Sequence, residues 1–186
     1  MYNIVYFIII LVIIFASNYA VLKLGSKFYK DKESVELFDS LHYILPDLHT
    51  YHSIVDFIGL GAIISLFFVS NKSLTTEFLA KFTIIMFIRA FTTIATILPK
   101  HKVCDEKIGI RSLFLGGCYD KIFSGHTSFT LLLTLLYYRE HIINLPLLIG
   151  INATNILAII ATRSHYTVDV LLAIFVTTTI YSIKID

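Results

Sequence analysis

The sequence has 186 residues, 56% of them hydrophobic and only 15% charged, with a mean hydropathy of +0.79. Soluble domains carry about 25% charged residues, and a core of this size cannot hide so much apolar surface, so the composition argues for a bilayer rather than water. The apolar content excludes disorder, two cysteines exclude a disulfide-dense scaffold, and a net charge of +2 without a Lys/Arg run leaves no footprint for nucleic acid.

A helix needs about 20 apolar residues to cross the hydrocarbon, so charge-free runs set the organisation. Met1 to Leu22 has no basic leader and is too long for a signal-peptide core, which predicts an uncleaved first transmembrane helix over 1–22. Further spans are predicted at Ile54 to Ser70, with Asp56 near its entrance, and Phe78 to Leu98, with Arg89 inside. Three more follow at Ser124 to Tyr138, Ile142 to Thr162 and Tyr166 to Ile183. The expectation is an all-α bundle of six transmembrane helices, with residues 23–186 as the rest of a single membrane domain. Lys23 to Ser53 and Pro99 to Phe123 read as long polar loops, and His42, His49, His52, His101 and His141 as loop or interface residues. Trp is absent, so Tyr19, Tyr137, Tyr138 and Tyr181 are expected to form the interfacial belt.

Ionisable residues at helix depth or helix mouths cost several kcal/mol and mark function. Arg89, His126, His165 and Asp169 are such residues. His165 and Asp169, spaced i,i+4, share a helix face, where a carboxylate accepting from one imidazole nitrogen would leave the other free to act as nucleophile or base. Ser124-Gly125-His126-Thr127 opens the fourth span, where hydroxyls and free amides at a helix N-terminus suit an anion. Two such histidines suit phosphoryl transfer, with one attacking phosphorus and the other handling a proton while Ser, Arg and amide donors hold the phosphate oxygens. A facial metal triad of His126, His165 and Asp169 is the competing arrangement.

Cys118-Tyr119-Asp120-Lys121-Ile122-Phe123-Ser124-Gly125-His126-Thr127 resembles the Cys-Gly-Asp-x3-Ser-Gly-His-Thr motif of sphingomyelin synthases, and His165-Tyr166-Thr167-Val168-Asp169 their second catalytic motif. Arg89 to Pro99 is similar to the family's Arg-x2-Thr-x3-Thr-x-Leu-Pro stretch, and Leu45-Pro46-Asp47 to its Leu-Pro-Asp element. The resemblance runs from about Leu45 to Ile183 and implies the six-helix fold of the phosphatidic acid phosphatase type 2 (PAP2) superfamily. His165 would be the nucleophile, Asp169 would orient it, and His126 would activate the acceptor. Arg89, Ser124, Gly125, Thr127, Asp120 and Tyr166 would bind substrate. Tyr51, Tyr119, Asp47 and Asp120 are candidates to face a choline cation. The superfamily's phosphatase signatures, Lys-x6-Arg-Pro and Ser-Arg-x5-His, are absent, since Arg163 stands two residues before His165.

The implied reaction moves phosphocholine or a related headgroup from a glycerophospholipid to ceramide or a similar lipid alcohol, releasing diacylglycerol, without metal or cofactor. Hydrolysis at the same site and a non-enzymatic lipid-binding protein are the alternatives, and no oligomeric state is assigned. The resemblance also implies a Golgi-like endomembrane or plasma-membrane location with an exoplasmic site. The positive-inside rule disagrees. Loops on the site's face carry Lys23, Lys27, Lys30, Lys32, Lys100, Lys102, Lys107, Arg111, Lys121 and Arg163, against Lys72, Lys81, Arg139 and Lys184 opposite. Cys104 and Cys118 share the third loop, where an oxidising compartment would permit a disulfide.

Overall fold

The computed structural model describes residues 2–29, 37–99, 112–113 and 118–184. Cys104, His101 and most of the loop that contains them lie outside these residues. The described part is all-α, with helices α1 (Tyr2–Tyr29), α2 (Ser40–Ile44), α3 (Ser53–Val69), α4 (Lys72–Ala95), α5 (Gly125–Arg139), α6 (Leu145–Ala161) and α7 (Thr167–Ser182), and no strand among the described residues.

This corrects the six-helix expectation. The additional helix among the described residues, α2, lies in a segment whose polarity reads as loop, and Asp39 starts it by accepting the His42 N–H at 3.0 Å. The span count changes too. Three segments, Asn3–Tyr29, His49–Val69 and Lys72–Ala95, are long and apolar enough to cross a membrane, whereas α6 and α7 are apolar but only 17 and 16 residues long. At 1.5 Å per residue they reach about 25 Å, short of the roughly 30 Å of hydrocarbon.

Local chemistry explains the boundaries. α1 continues past Leu22 because Lys23 and Lys27 fall on its exposed side while Gly25 is buried. α4 starts a turn and a half before Phe78 because Asn71 caps the Leu74 N–H at 2.9 Å. Its early charges also find partners. Glu77 holds Lys81 at 3.0 Å and takes two bonds from Arg139 of α5, at 2.7 and 2.6 Å, while Lys81 reaches the Tyr181 carbonyl of α7 at 2.7 Å. Asn144 caps α6, with Pro146 in its first turn.

Helix α5 occupies the centre, packing against α3, α4, α6 and α7, and α1 lies against α4. The main core joins these helices through Phe78, Phe82 and Phe129, whose rings meet edge-on or stacked at 4.9–5.5 Å. Outward faces stay apolar: Phe57, Phe67 and Phe68 of α3 are 70–85% exposed, as a helix bordering lipid requires. A smaller cluster of Val55, Ile159, Ile160 and Val170, covered by Leu41 and Leu45, ties α2, α3, α6 and α7 together where α6 ends and α7 begins.

Candidate active site

The polar groups gather where α5 and α7 begin and α6 ends. His165 stands in the turn between α6 and α7, 8% exposed, and its Nδ1–H donates to the backbone carbonyl of Lys121 at 2.7 Å. That bond fixes the tautomer and leaves Nε2 with a free lone pair.

The expected hydrogen bond from His165 to Asp169 is not made. The Asp169 carboxylate is 3.7 Å from Nδ1, and its Oδ2 instead accepts the Tyr166 N–H at 2.8 Å, closing the start of α7. Helix capping has won this oxygen from the imidazole. Oδ1 of Asp169 is buried and has no hydrogen-bond partner among the described residues. The carboxylate therefore acts on His165 through space, beside a carbonyl that supplies the directional bond.

His126, in the first turn of α5, lies within electrostatic reach of His165, Asp56, Arg89 and Asp120. Its Nε2 is 3.9 Å from Asp56 Oδ1, a carboxylate contributed by α3. Gly59, one turn further along α3, makes room for the ring. A Cβ there would come within 3.2 Å of His126 Cδ2.

Ser124 and Thr127, expected to hold phosphate, are fully buried and bonded to each other. Ser124 Oγ accepts from the Thr127 N–H at 3.2 Å and from its hydroxyl at 2.9 Å, so the pair is an N-cap of α5. Phe123, just before the cap, has φ of +74°, a left-handed conformation that a bulky residue adopts only when its surroundings force it. Burial of its ring and the Ser124 N–H bond to the Asp169 carbonyl at 3.4 Å supply that force. Gly125 has ordinary space: a Cβ would meet Arg89 Nε at 3.5 Å, so the position does not demand glycine sterically.

Arg89 faces the bundle interior and pairs with a carboxylate, Asp120, while Nη1 donates to Asn18 of α1 at 3.3 Å. Both members of the pair are over nine-tenths buried. Arg89 Nε, on the Gly125 side, and Asp120 Oδ1 have no partner among the described residues. Tyr119, a candidate choline contact, does not face a headgroup. It is 1% exposed, stacks on Tyr29 at 5.7 Å, and lies against Gly25 of α1.

Lys121 uses both ends. Its carbonyl accepts the hydrogen bond from His165 Nδ1–H, and its buried Nζ donates to the Ser164 carbonyl at 2.8 Å. Burial pushes its pKa below the ordinary amine value, against the opposing pull of Asp120 and Asp169.

Sequence reasoning missed the residues that hold this turn from outside. Asp39 caps α7 as well as α2, accepting the Thr167 N–H at 2.7 Å and its hydroxyl at 2.6 Å. His42 Nε2–H donates to the His165 carbonyl at 3.0 Å, and its ring lies 5.3 Å from that of Tyr166. Arg163 donates to the His42 and Leu45 carbonyls at 2.8 and 3.0 Å, with Asp47 Oδ1 3.8 Å from its Nε. A polar loop's composition gives no hint of such pairings; the Asp39-x-x-His42 cap was the one available signal.

Among the described residues no three His, Cys, Asp or Glu side chains are grouped so as to hold a metal ion. Cys118 is disulfide-bonded. Fold and site thus describe an all-helical membrane protein with a buried, histidine-centred polar cluster at one end of its bundle. Residues 117–185 match the family model described as PAP2 superfamily C-terminal, which supports a place in that superfamily, whose members are generally phosphatases or phosphotransferases. No curated protein matches the chain.

Proposed function

We propose that the protein is a lipid headgroup phosphotransferase of the sphingomyelin synthase-like kind, passing phosphocholine or a related headgroup from a glycerophospholipid to ceramide or a similar lipid alcohol. The observation that carries this reading is the His165 Nδ1–Lys121 carbonyl bond, which leaves Nε2 as a nucleophile within electrostatic reach of a second histidine.

In the first step His165 Nε2 attacks phosphorus, and the bond to the glyceride oxygen breaks as that oxygen takes a proton from His126, releasing diacylglycerol. In the second, His126 takes the proton of the acceptor hydroxyl, whose oxygen attacks the phosphohistidine and frees His165. Asp56 stabilises the protonated form of His126, and Asp169 the cationic phosphohistidine. Arg89, through Nε, and the amides at the start of α5 face the phosphate oxygens. Asp120 and Tyr166 act behind them, one holding Arg89 and the other the α7 start.

Charge balance favours a diester over a phosphomonoester. Arg89, Lys121 and Arg163 stand against Asp47, Asp56, Asp120 and Asp169, a balance unsuited to a dianionic phosphate but suited to a zwitterionic headgroup. The disulfide at Cys118 supports the exoplasmic placement, since such bonds persist in oxidising compartments.

The test is reconstituted protein with phosphatidylcholine and fluorescent ceramide. Fluorescent sphingomyelin should form with the wild type and be lost in His165→Ala. Release of phosphocholine instead would make water the acceptor, and no turnover of any phospholipid would leave a lipid-binding protein.

A further inference from the structure

Residues 37–48 cross the outside of the His165 turn between two helices long enough to span a membrane, and their two sides differ. Inward, Asp39 and His42 hold Thr167 and the His165 carbonyl, the Leu48 N–H bonds the Ala161 carbonyl at 2.8 Å, and Leu41 and Leu45 pack on the α3–α6–α7 cluster. Outward, Phe38, Tyr43 and Ile44 are 83, 84 and 72% exposed, and the rings of Phe38 and Tyr43 lie 6.4 Å apart. Of the two acidic side chains in the stretch, Asp39 is turned inward, and Asp47 at its far end is engaged by His49 at 3.0 Å and lies 3.8 Å from Arg163. Among residues 37–48, therefore, no charged side chain lies on the side that bears Phe38, Tyr43 and Ile44. An aromatic and aliphatic surface of this kind, on the same chain segment that leads to the exposed apolar Ile54 and Phe57 of α3, matches the boundary between headgroups and acyl chains, where amphipathic rings settle.

We propose that residues 37–48 are an interfacial strap, whose outer side seats Phe38, Tyr43 and Ile44 in the phospholipid interface while Asp39 and His42 on its inner side position the turn that presents His165. The seat keeps the turn at the depth where the headgroup ester of a bilayer lipid lies. Asp39 and His42 touch backbone and Thr167 rather than reacting atoms; they are positioning residues. Their catalytic effect rests on the headgroup-transfer reading, whereas the lipid seat does not.

The sequence contains no tryptophan, so Phe38→Trp introduces a single one whose emission can be excited selectively. In phosphatidylcholine vesicles that emission should be blue-shifted, and lipids brominated near the headgroup end of the chain should quench it about twofold more than lipids brominated near the chain end. Water-like emission without quenching would overturn the seat. Blue-shifted emission that bromolipids do not quench would also overturn it, showing the surface covered by protein, such as a second copy of the chain.

The positioning half is read from kinetics on bilayer substrate. His42→Ala and Asp39→Ala should lower kcat about tenfold or more with KM unchanged, and His42→Gln, which keeps a donor for the His165 carbonyl, should recover most of it. Phe38→Ser with Tyr43→Ser and Ile44→Ser should raise the apparent KM instead. Wild-type kcat in His42→Ala, or no difference between Ala and Gln at 42, would overturn positioning. A protein that turns over no phospholipid, while the Phe38→Trp emission is quenched as expected, would refute the headgroup-transfer reading alone and uphold the seat.

Discussion

Replacing Arg89 by Met leaves Asp120 stranded. Asp120 is 5% exposed, its Oδ1 already lacks a partner among the described residues, and the guanidinium is the donor to Oδ2. Removing one partner of a buried pair costs about 3–5 kcal/mol, because the remaining charge keeps its desolvation penalty without compensation. Asp120→Leu should cost about as much, reduced by the bond that Arg89 keeps to Asn18 at 3.3 Å. The double variant removes both charges and leaves apolar groups of similar volume, so it should lie within about 2 kcal/mol of wild type. The coupling between the sites is then several kcal/mol. With a change of about 2–4 °C per kcal/mol for a chain of this size, each single variant should unfold roughly 10 °C lower in detergent, and the double only a few degrees lower. Circular dichroism melts of the four proteins complete the cycle. Additive losses in the double, or an Arg89→Met protein as stable as wild type, would refute the buried-pair argument. Activity separates a second role: recovered stability without recovered transfer is expected if Arg89 Nε also meets the phosphate.

Gly25→Ala drives a Cβ into the Tyr119 side chain, so the variant should lose about 1–3 kcal/mol by overpacking and lose transfer as the segment bearing Asp120 shifts, both measured on one preparation. Gly59→Ala presses on His126 at 3.2 Å and should cut kcat severalfold with an unchanged melt; undiminished kcat would show that the ring has slack. Burial lowers the pKa of His42, outweighing the bond to the His165 carbonyl and the pull of Asp39, so the folded protein favours the neutral ring. The stabilisation is then complete above the ordinary imidazole value of about 6.5 and is lost as pH falls from there through the lowered folded value. Wild type should therefore lose more melting temperature than His42→Gln when taken below about pH 6.5, and parallel pH curves would contradict this. Cys118 should resist maleimide in denatured protein until a reductant is added; labelling beforehand would refute the bond.

The long helices were legible because each rests on a local signal, and the helix starts that carry His126 and Asp169 were read the same way. Long apolar runs gave α1, α3 and α4, and Ser124 marks where α5 starts, whereas the caps at Asn71 and Asn144, which start α4 at Lys72 and α6 at Leu145 rather than at Phe78 and Ile142, went unread. What acts on the histidines was less legible. His165 is oriented by a peptide carbonyl, and every residue has one, so no sequence pattern announces Lys121 in that role. The i,i+4 spacing correctly placed Asp169 near His165, yet the same carboxylate sits three residues after a helix N-cap, where a backbone N–H competes for it. Residues 37–48 carry their meaning in contacts with a turn far along the chain, which a window of local composition cannot see. Gly59 was hidden for a related reason: its value lies in the ring opposite, on another helix.

Asp39 caps a helix whose first residue lies 128 positions downstream. Contacts this distant in sequence close late, and helices reach the membrane in the order of synthesis. Until the last helix is inserted, Thr167 is missing, and the 37–48 segment is tied only to the end of α6, through Ala161 and Arg163, and not to the helix that follows the turn. If the protein acts on phospholipids as proposed, a half-made chain resting among them is unable to do so, and the ability arises only when the final segment is in place. On that reading, the order of synthesis itself supplies the safety that many degradative enzymes obtain from a removable pro-segment.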